Sequence, residues 1–218
     1  MNPDQVSVLS LSDVVNPFLY SPQIRKRFSH IDLVIACGDL PYYYLEYIIS
    51  ALDVRLFFVR GNHDKTVEYS EEGQRRGPGG GTDLHRRIVN FRGLLLAGIE
   101  GCQRYRPGPF QYSQTQMWLN VLGLVPGLFM NRILHGRYVD VFVTHAPPRG
   151  VHDDTDFTHH GIDAFRWLIQ VFQPAYHFHG HIHVYKSNET TETWIGGTKV
   201  INTYRFRETT LHFSAGRK

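Results

Sequence analysis

Short apolar runs, each ending in a residue able to bind a metal or move a proton, set the tightest limit on this chain. Residues 6–10 alternate apolar and polar and lead to Asp13. Residues 32–36 form an apolar run that ends at Gly38-Asp39, and residues 54–59 end at Gly61-Asn62-His63-Asp64. Residues 139–144 end at His145, and residues 176–179 end at Gly180-His181-Ile182-His183. Continuous apolar runs of this length read as strands covered on both faces. Helical periodicity lies between them, at residues 42–51, 114–122, 128–134 and 162–172. Ser21-Pro22 predicts a helix start, with Ser21 as cap, running to about Phe28. Strand, helix, strand order predicts an α/β fold with parallel strands. Residues 88–91 and 94–99 read as two more strands, and residues 184–213 as a β-meander. Residues 68–83 are polar, with Pro78 and three consecutive glycines, and read as a surface loop, with a lid formed by Gly77 to Gly81 as the lesser option. At 218 residues without a linker, a single domain over residues 1–218 is expected.

Composition narrows the function. Two cysteines, Cys37 and Cys102, support neither a disulfide scaffold nor a cysteine zinc site. The net charge of +3 is small and scattered, which argues against nucleic acid as partner. No apolar run reaches the ~18 residues a spanning helix needs, so no membrane partner is expected. Residues 1–10 show no basic stretch before an apolar core, and a cytoplasmic protein is expected. Thirteen histidines against three methionines do stand out, because histidine is both the commonest metal ligand and a proton donor near neutral pH.

Strand ends on one edge of an α/β sheet converge, and ligands bind there. Asp13, Asp39, Asn62, His63, Asp64, His145, His181 and His183 all have this placement. Carboxylate, amide and imidazole together suit Mn, Fe or Zn. In order and spacing, Gly38-Asp39, Gly61-Asn62-His63-Asp64, Thr144-His145 and Gly180-His181-Ile182-His183 resemble the signature of calcineurin-like metallophosphoesterases. The resemblance implies two mixed β-sheets in a sandwich flanked by helices, with two divalent metal ions at the strand ends. It implies that Asp39 bridges them, that Asn62, His145 and His181 complete one site, and that Asp13 and His183 complete the other. It implies His63 as the acid that protonates the leaving oxygen, with Asp64 orienting its ring. The substrate expected is a small phosphodiester or phosphomonoester, attacked by a metal-activated hydroxide.

One position departs from that signature. The first motif is ordinarily Asp-x-His, and Val15 stands where the histidine belongs. If the strand continued, Val15 would face the metal beside Asp13 and offer it nothing. Asn16 is one place off, and Pro17 holds it extended. The first metal site is therefore expected to be weak, unless His152 or Asp153 from the histidine-rich stretch 151–160 compensates. A degenerate member that binds a phosphate ligand or protein without turnover is the rival reading. Asn62, Arg104, Arg106 and Arg149 are candidate phosphate contacts. One tyrosine of Tyr42-Tyr43-Tyr44 is a candidate for the pocket rim. Cys37 reads as a core residue, Cys102 as a loop residue open to solvent. An exposed edge of the C-terminal strands is a candidate homodimer contact.

Overall fold

The computed structural model describes residues 5–70, 73–186 and 188–213. Two mixed sheets face each other. The first has the order β15-β1-β2-β3-β6. Its members are β1 (Gln5–Ser12), β2 (Leu33–Ala36), β3 (Arg55–Phe58), β6 (Gly81–Asp83) and β15 (Arg205–His212). All neighbours are parallel except β15, which runs antiparallel to β1. The second has the order β13-β14-β12-β11-β8-β7. It comprises β7 (Arg87–Phe91), β8 (Leu94–Ile99), β11 (Val141–Thr144), β12 (Tyr176–His179), β13 (Glu192–Ile195) and β14 (Thr198–Asn202). Its two edge strands are antiparallel to a parallel centre. Two ribbons, β4 (Glu68–Ser70) with β5 (Gly73–Arg75) and β9 (Cys102–Gln103) with β10 (Gln111–Tyr112), complete the strands.

The continuous apolar runs arise because each central strand serves two cores. On β2, Leu33 and Ile35 enter the layer between the sheets, and Val34 and Ala36 face the helices. On β11, Val141 and Val143 point inward and Phe142 outward. Successive strand side chains alternate faces, so a strand covered on both sides must be apolar throughout. Helices α1 (Ile24–Arg27) and α2 (Tyr42–Leu52) cover the first sheet. Helices α3 (Gln114–Leu122), α4 (Val125–His135) and α5 (Asp163–Phe172) cover the second. The helix, sheet, sheet, helix sandwich expected from the resemblance is the observed architecture.

Three expectations are corrected. Residues 68–83 are not a plain loop: they hold β4, β5 and β6, and β6 adds a fifth strand to the first sheet by pairing with β3. The residues after Asn188 are not one meander, because β14 and β15 lie in different sheets. Helix α1 starts at Ile24, not Pro22. The Ser21 hydroxyl donates to the Phe18 carbonyl (2.9 Å) and caps no helix.

Candidate metal centre

The carboxyl ends of both sheets meet at one point. Asp13, Asp39 and Asn62 follow β1, β2 and β3, while His145 follows β11 and His181 and His183 follow β12. Asp13, Asp39 and His181 are all left-handed, at φ 65°, 58° and 68°. Such a backbone costs a non-glycine residue energy and is held by its surroundings, often at functional sites. Here it turns each strand end so that its side chain enters the site. Gly38, at φ 92°, has no room for a side chain, since a Cβ would stand 2.8 Å from His145 Nδ1.

Ligand atoms of Asp39, His145 and His181 all lie within 4.8 Å of one another. His145 Nδ1 donates to the Cys37 carbonyl (2.7 Å), which turns Nε2 into the site. His181 Nε2 donates to the Thr158 carbonyl (3.0 Å), which turns Nδ1 toward His145 Nε2 (3.1 Å). Both rings are thus fixed from behind with one nitrogen aimed inward, as metal-binding histidines usually are. Asn62 Oδ1 stands 3.0 Å from His145 Nε2. Asp13 accepts the His181 backbone N–H on both carboxylate oxygens (3.1 Å each), and His183 Nε2 lies 3.9 Å from Asp13 Oδ1. Oxygen and imidazole donors converging on one small cavity fit a divalent metal.

The metal-free electrostatics support this. Burial alone would push His145 down, but Asp39, Oδ2 of which is 3.4 Å from His145 Nε2, lifts it to about 9. Asp39, which burial would raise, is held at about 2 by the same pair. Burial and the His145 charge push His181 down to about 3. Burial raises Asp13. The positive charge that Asp39 favours at His145 lies among the donor atoms, and a metal bound there would take the place of that proton.

The cavity is about 220 Å³ and is lined by Asp13, Asp39, Asn62, His63, Tyr105, Thr158, His159, His181 and His183. A larger groove of about 750 Å³, bordered by Glu46, Asp53 and Arg92, contains none of the donor set. Gly79 and Gly80 belong to that groove, so the glycine run does not cover the donors. Sequence reasoning misses Tyr105, the hydroxyl of which accepts from Asn62 Nδ2 (3.1 Å). Nothing local to Tyr105 signals this, because Asn62 lies 43 positions away. Thr158 and His159 fall in the histidine-rich stretch 151–160, where the sequence does carry a signal.

Several expected roles change. His63 lines the cavity, and its backbone N–H donates to Asp39 Oδ1 (2.8 Å). Asp64 does not orient the His63 ring. Its carboxylate instead accepts from the backbone N–H groups of Gly61 (2.7 Å), Asp39 (3.0 Å) and Leu40 (3.1 Å). It ties the Asp39 turn to the Asn62-His63 turn. Burial and the Asp39 charge lift it to about 6. Arg104 is spent on Gln111 O and Gln116 Oε1, far from a phosphate role, and Arg149 is absent from the cavity lining. Tyr42, Tyr43 and Tyr44 are absent too; the Tyr44 hydroxyl accepts the Asn16 N–H (3.2 Å). Cys102 is buried, not open to solvent.

Val15 does not face the metal. The strand ends at Ser12, the chain turns at Asp13, and Val15 packs beside the α1–α2 core. Asn16 Oδ1 accepts from Phe18 N (3.0 Å), closing a turn. His152 and Asp153 do not compensate. Asp153 accepts from Gly161 N (3.2 Å), and His152 bonds His179 Nε2 and Thr193 Oγ1 (2.9 Å each).

Buried His177 and His179, with half-buried His152, form an array behind the donors. His177 Nε2 bonds Thr144 Oγ1 (2.8 Å), and its Nδ1 has no partner among the described residues. Burial pushes His152 to about 4 and His177 to about 3, and it holds His179 well below its usual value. These rings stay neutral when folded, while unfolded rings protonate near 6.5. Their contribution is complete above that pH and is lost as pH falls toward the folded values. Urea titration of chelator-treated protein should show stability falling between about pH 6.5 and 4: His181 adds a fourth proton to the unfolded chain and Asp64 offsets one, which leaves about three and a slope of at most ~4 kcal/mol per pH unit. A flat midpoint over that range would contradict the array.

The profile of the calcineurin-like phosphoesterase family matches residues 8–185. The chain belongs to that family, which implies divalent-metal binding and metal-dependent phosphoester hydrolysis. No curated protein matches the sequence. One crystal structure, 17% identical, superposes with a TM-score of 0.63 and covers 96% of this chain and 100% of its own. The crystal structure of TT1561 of Thermus thermophilus, 14% identical, also reaches 0.63, over 95% of this chain and 98% of its own. At these identities the similarity shows the fold.

Proposed function

We propose that this chain hydrolyses a small phosphodiester in the cavity between the two sheet edges. The observation that carries this is the convergence of Asp39, His145 and His181 ligand atoms within 4.8 Å, in a cavity that His63 also lines. Two divalent ions, held by Asp13, Asp39, Asn62, His145, His181 and His183, would supply Lewis acidity and a water of lowered pKa. The chain's own residues do the rest. Tyr105 holds Asn62 by accepting from its Nδ2, which leaves Oδ1 turned toward His145 and the metal position. His63, free of metal duty, donates a proton to the departing oxygen. Asp64 holds the two turns that carry Asp39 and His63 in register.

A diester is favoured over a monoester by charge. No Lys or Arg side chain lines the cavity among the described residues, while two carboxylates do. With Asp13 and Asp39 committed to the ions, the remaining walls offer no cation for the second charge of a monoester, and a singly charged diester suits them better. Purified protein with added Mn should hydrolyse bis-p-nitrophenyl phosphate at least ~10-fold faster than p-nitrophenyl phosphate, measured as kcat/KM; tenfold corresponds to about 1.4 kcal/mol of preferential transition-state stabilisation. A preference for the monoester would reverse the substrate assignment.

The second reading, binding without turnover, rests on a specific observation. With Val15 packed against the α1–α2 core and Asn16 closing a turn, one metal keeps just Asp13, Asp39 and His183. We propose that this site is the weaker of the two. Two equal, tight sites in a metal titration would overturn that.

A further inference from the structure

Helices α3 and α4 form one outer layer over the second sheet. Their inner side is buried through Met117, Val121, Leu124 and Leu128. Their outer side is apolar as well. Leu119, Leu122, Phe129, Met130, Ile133 and Leu134 are all exposed, Ile133 by 76% and Leu134 by 65%. Leu119 and Leu122 on α3 are three apart, and Phe129, Met130, Ile133 and Leu134 on α4 pair at spacings of three and four, so each set lies on one side of its helix. A helix facing water normally carries polar residues there, and a contiguous exposed apolar patch marks an interaction surface.

Charge says what kind of surface it meets. Residues 101–139 contain no Asp or Glu, but do contain Arg104, Arg106, Arg132 and Arg137. Arg132 is exposed beside Ile133 and lies over the Tyr138 ring, 5.8 Å away. Arg86 is exposed and reaches the α3–α4 junction, 3.6 Å from where a Gly123 Cβ would stand. Arg137 is neutralised by Asp140. The stripe is thus bordered by positive charge that no carboxylate from this stretch offsets. A two-fold contact with a second copy would set this basic border against itself, again with no acid to pair it. An anionic lipid surface meets both features at once.

We propose that the outer face of α3 and α4 docks this chain on an anionic lipid bilayer. The apolar stripe enters the boundary between headgroups and acyl chains, and Arg86 and Arg132 meet the headgroups. Residues Gln114–His135 are long and apolar enough to cross a membrane by length and composition. Their inner face is committed to the core, so they lie on the bilayer instead of spanning it. Lying flat in the interface needs only one apolar face, not an apolar stretch free on all sides. Helix α4 leads into the amino end of β11, and the metal centre lies at the carboxyl end. The docked chain therefore keeps its cavity away from α4's outer end.

The test is vesicle flotation of the full chain. Phosphatidylcholine vesicles with roughly one-third phosphatidylserine should bind at least ~10-fold more tightly than pure phosphatidylcholine, and binding should weaken as salt rises. Ile133→Asp with Leu134→Asp should abolish binding to both. Arg86→Glu with Arg132→Glu should erase the preference for phosphatidylserine. All variants should keep the hydrolysis rate in solution, since none of these residues lines the cavity. No binding by the parent chain to either vesicle would overturn the proposal. So would a dimer in sedimentation that Ile133→Asp with Leu134→Asp converts to monomer, which would assign the face to a second copy.

Discussion

Replacing His63 with alanine should lower kcat by roughly 10²- to 10⁴-fold on a diester with an alkyl leaving group, the range expected for loss of a positioned proton donor. Metal content should not change. His63 lines the cavity, but its ring is outside the Asp39, His145 and His181 cluster, and the bond it gives Asp39 comes from its backbone N–H. Alanine keeps that N–H. The loss should shrink on a p-nitrophenyl ester, because nitrophenolate departs without needing a proton. This dependence on the leaving group separates proton donation from mere contact. Equal losses on both substrates would remove His63 from the acid role. No measurable turnover in the parent, together with tight phosphate binding, would favour the binding reading.

Asp39→Ala should have the larger effect on the metal centre itself. Asp39 places one carboxylate oxygen 3.4 Å from His145 Nε2 and the other on the His63 N–H. It is also the main source of the upward shift of His145. Without it the donors lose their only carboxylate in the tight cluster. Metal affinity should fall by more than the 10–100-fold typical of losing an outer-shell partner, and turnover should fall with it. Calorimetric titration with Mn reads the first, and hydrolysis at saturating Mn the second. Circular dichroism should show a retained fold, since the sheets are held by three apolar clusters that exclude Asp39. Unchanged metal affinity in this variant would place the centre elsewhere.

The strand ends are legible because their signal is local. Leu33 to Ala36 must be apolar at every position to serve two cores, and the first polar residues after such a run mark the sheet's edge. That puts Asp39, Asn62, His145 and His181 at strand ends from the sequence alone. Position Val15 misleads because alternation does not extend past Ser12. A single left-handed residue, Asp13, ends the strand, and no side-chain pattern announces that turn. Strand β6 is invisible for a different reason. In Gly81-Thr82-Asp83 only Thr82 favours a strand while Gly81 and Asp83 disfavour one, and the pairing with β3 is imposed by tertiary context. The Arg104 candidate fails because guanidinium groups satisfy backbone carbonyls as readily as phosphates, and Gln111 reaches it first. In the stretch 151–160 the chemistry is visible but not its direction. His152 turns inward to His179, and the residues facing the cavity are Thr158 and His159.

Three of the donors hang from one sheet and three from the other. The spacing of the sandwich and the grip on the ion are therefore a single mechanical variable. An ion seated there acts as a rivet across the seam, and its binding free energy is also adhesion between the layers. Substitutions deep in the shared core, at Phe178 or Leu96 for instance, can detune the centre without touching a donor, by letting one layer slide over the other. A chain starved of metal loses its chemistry and its clamp together.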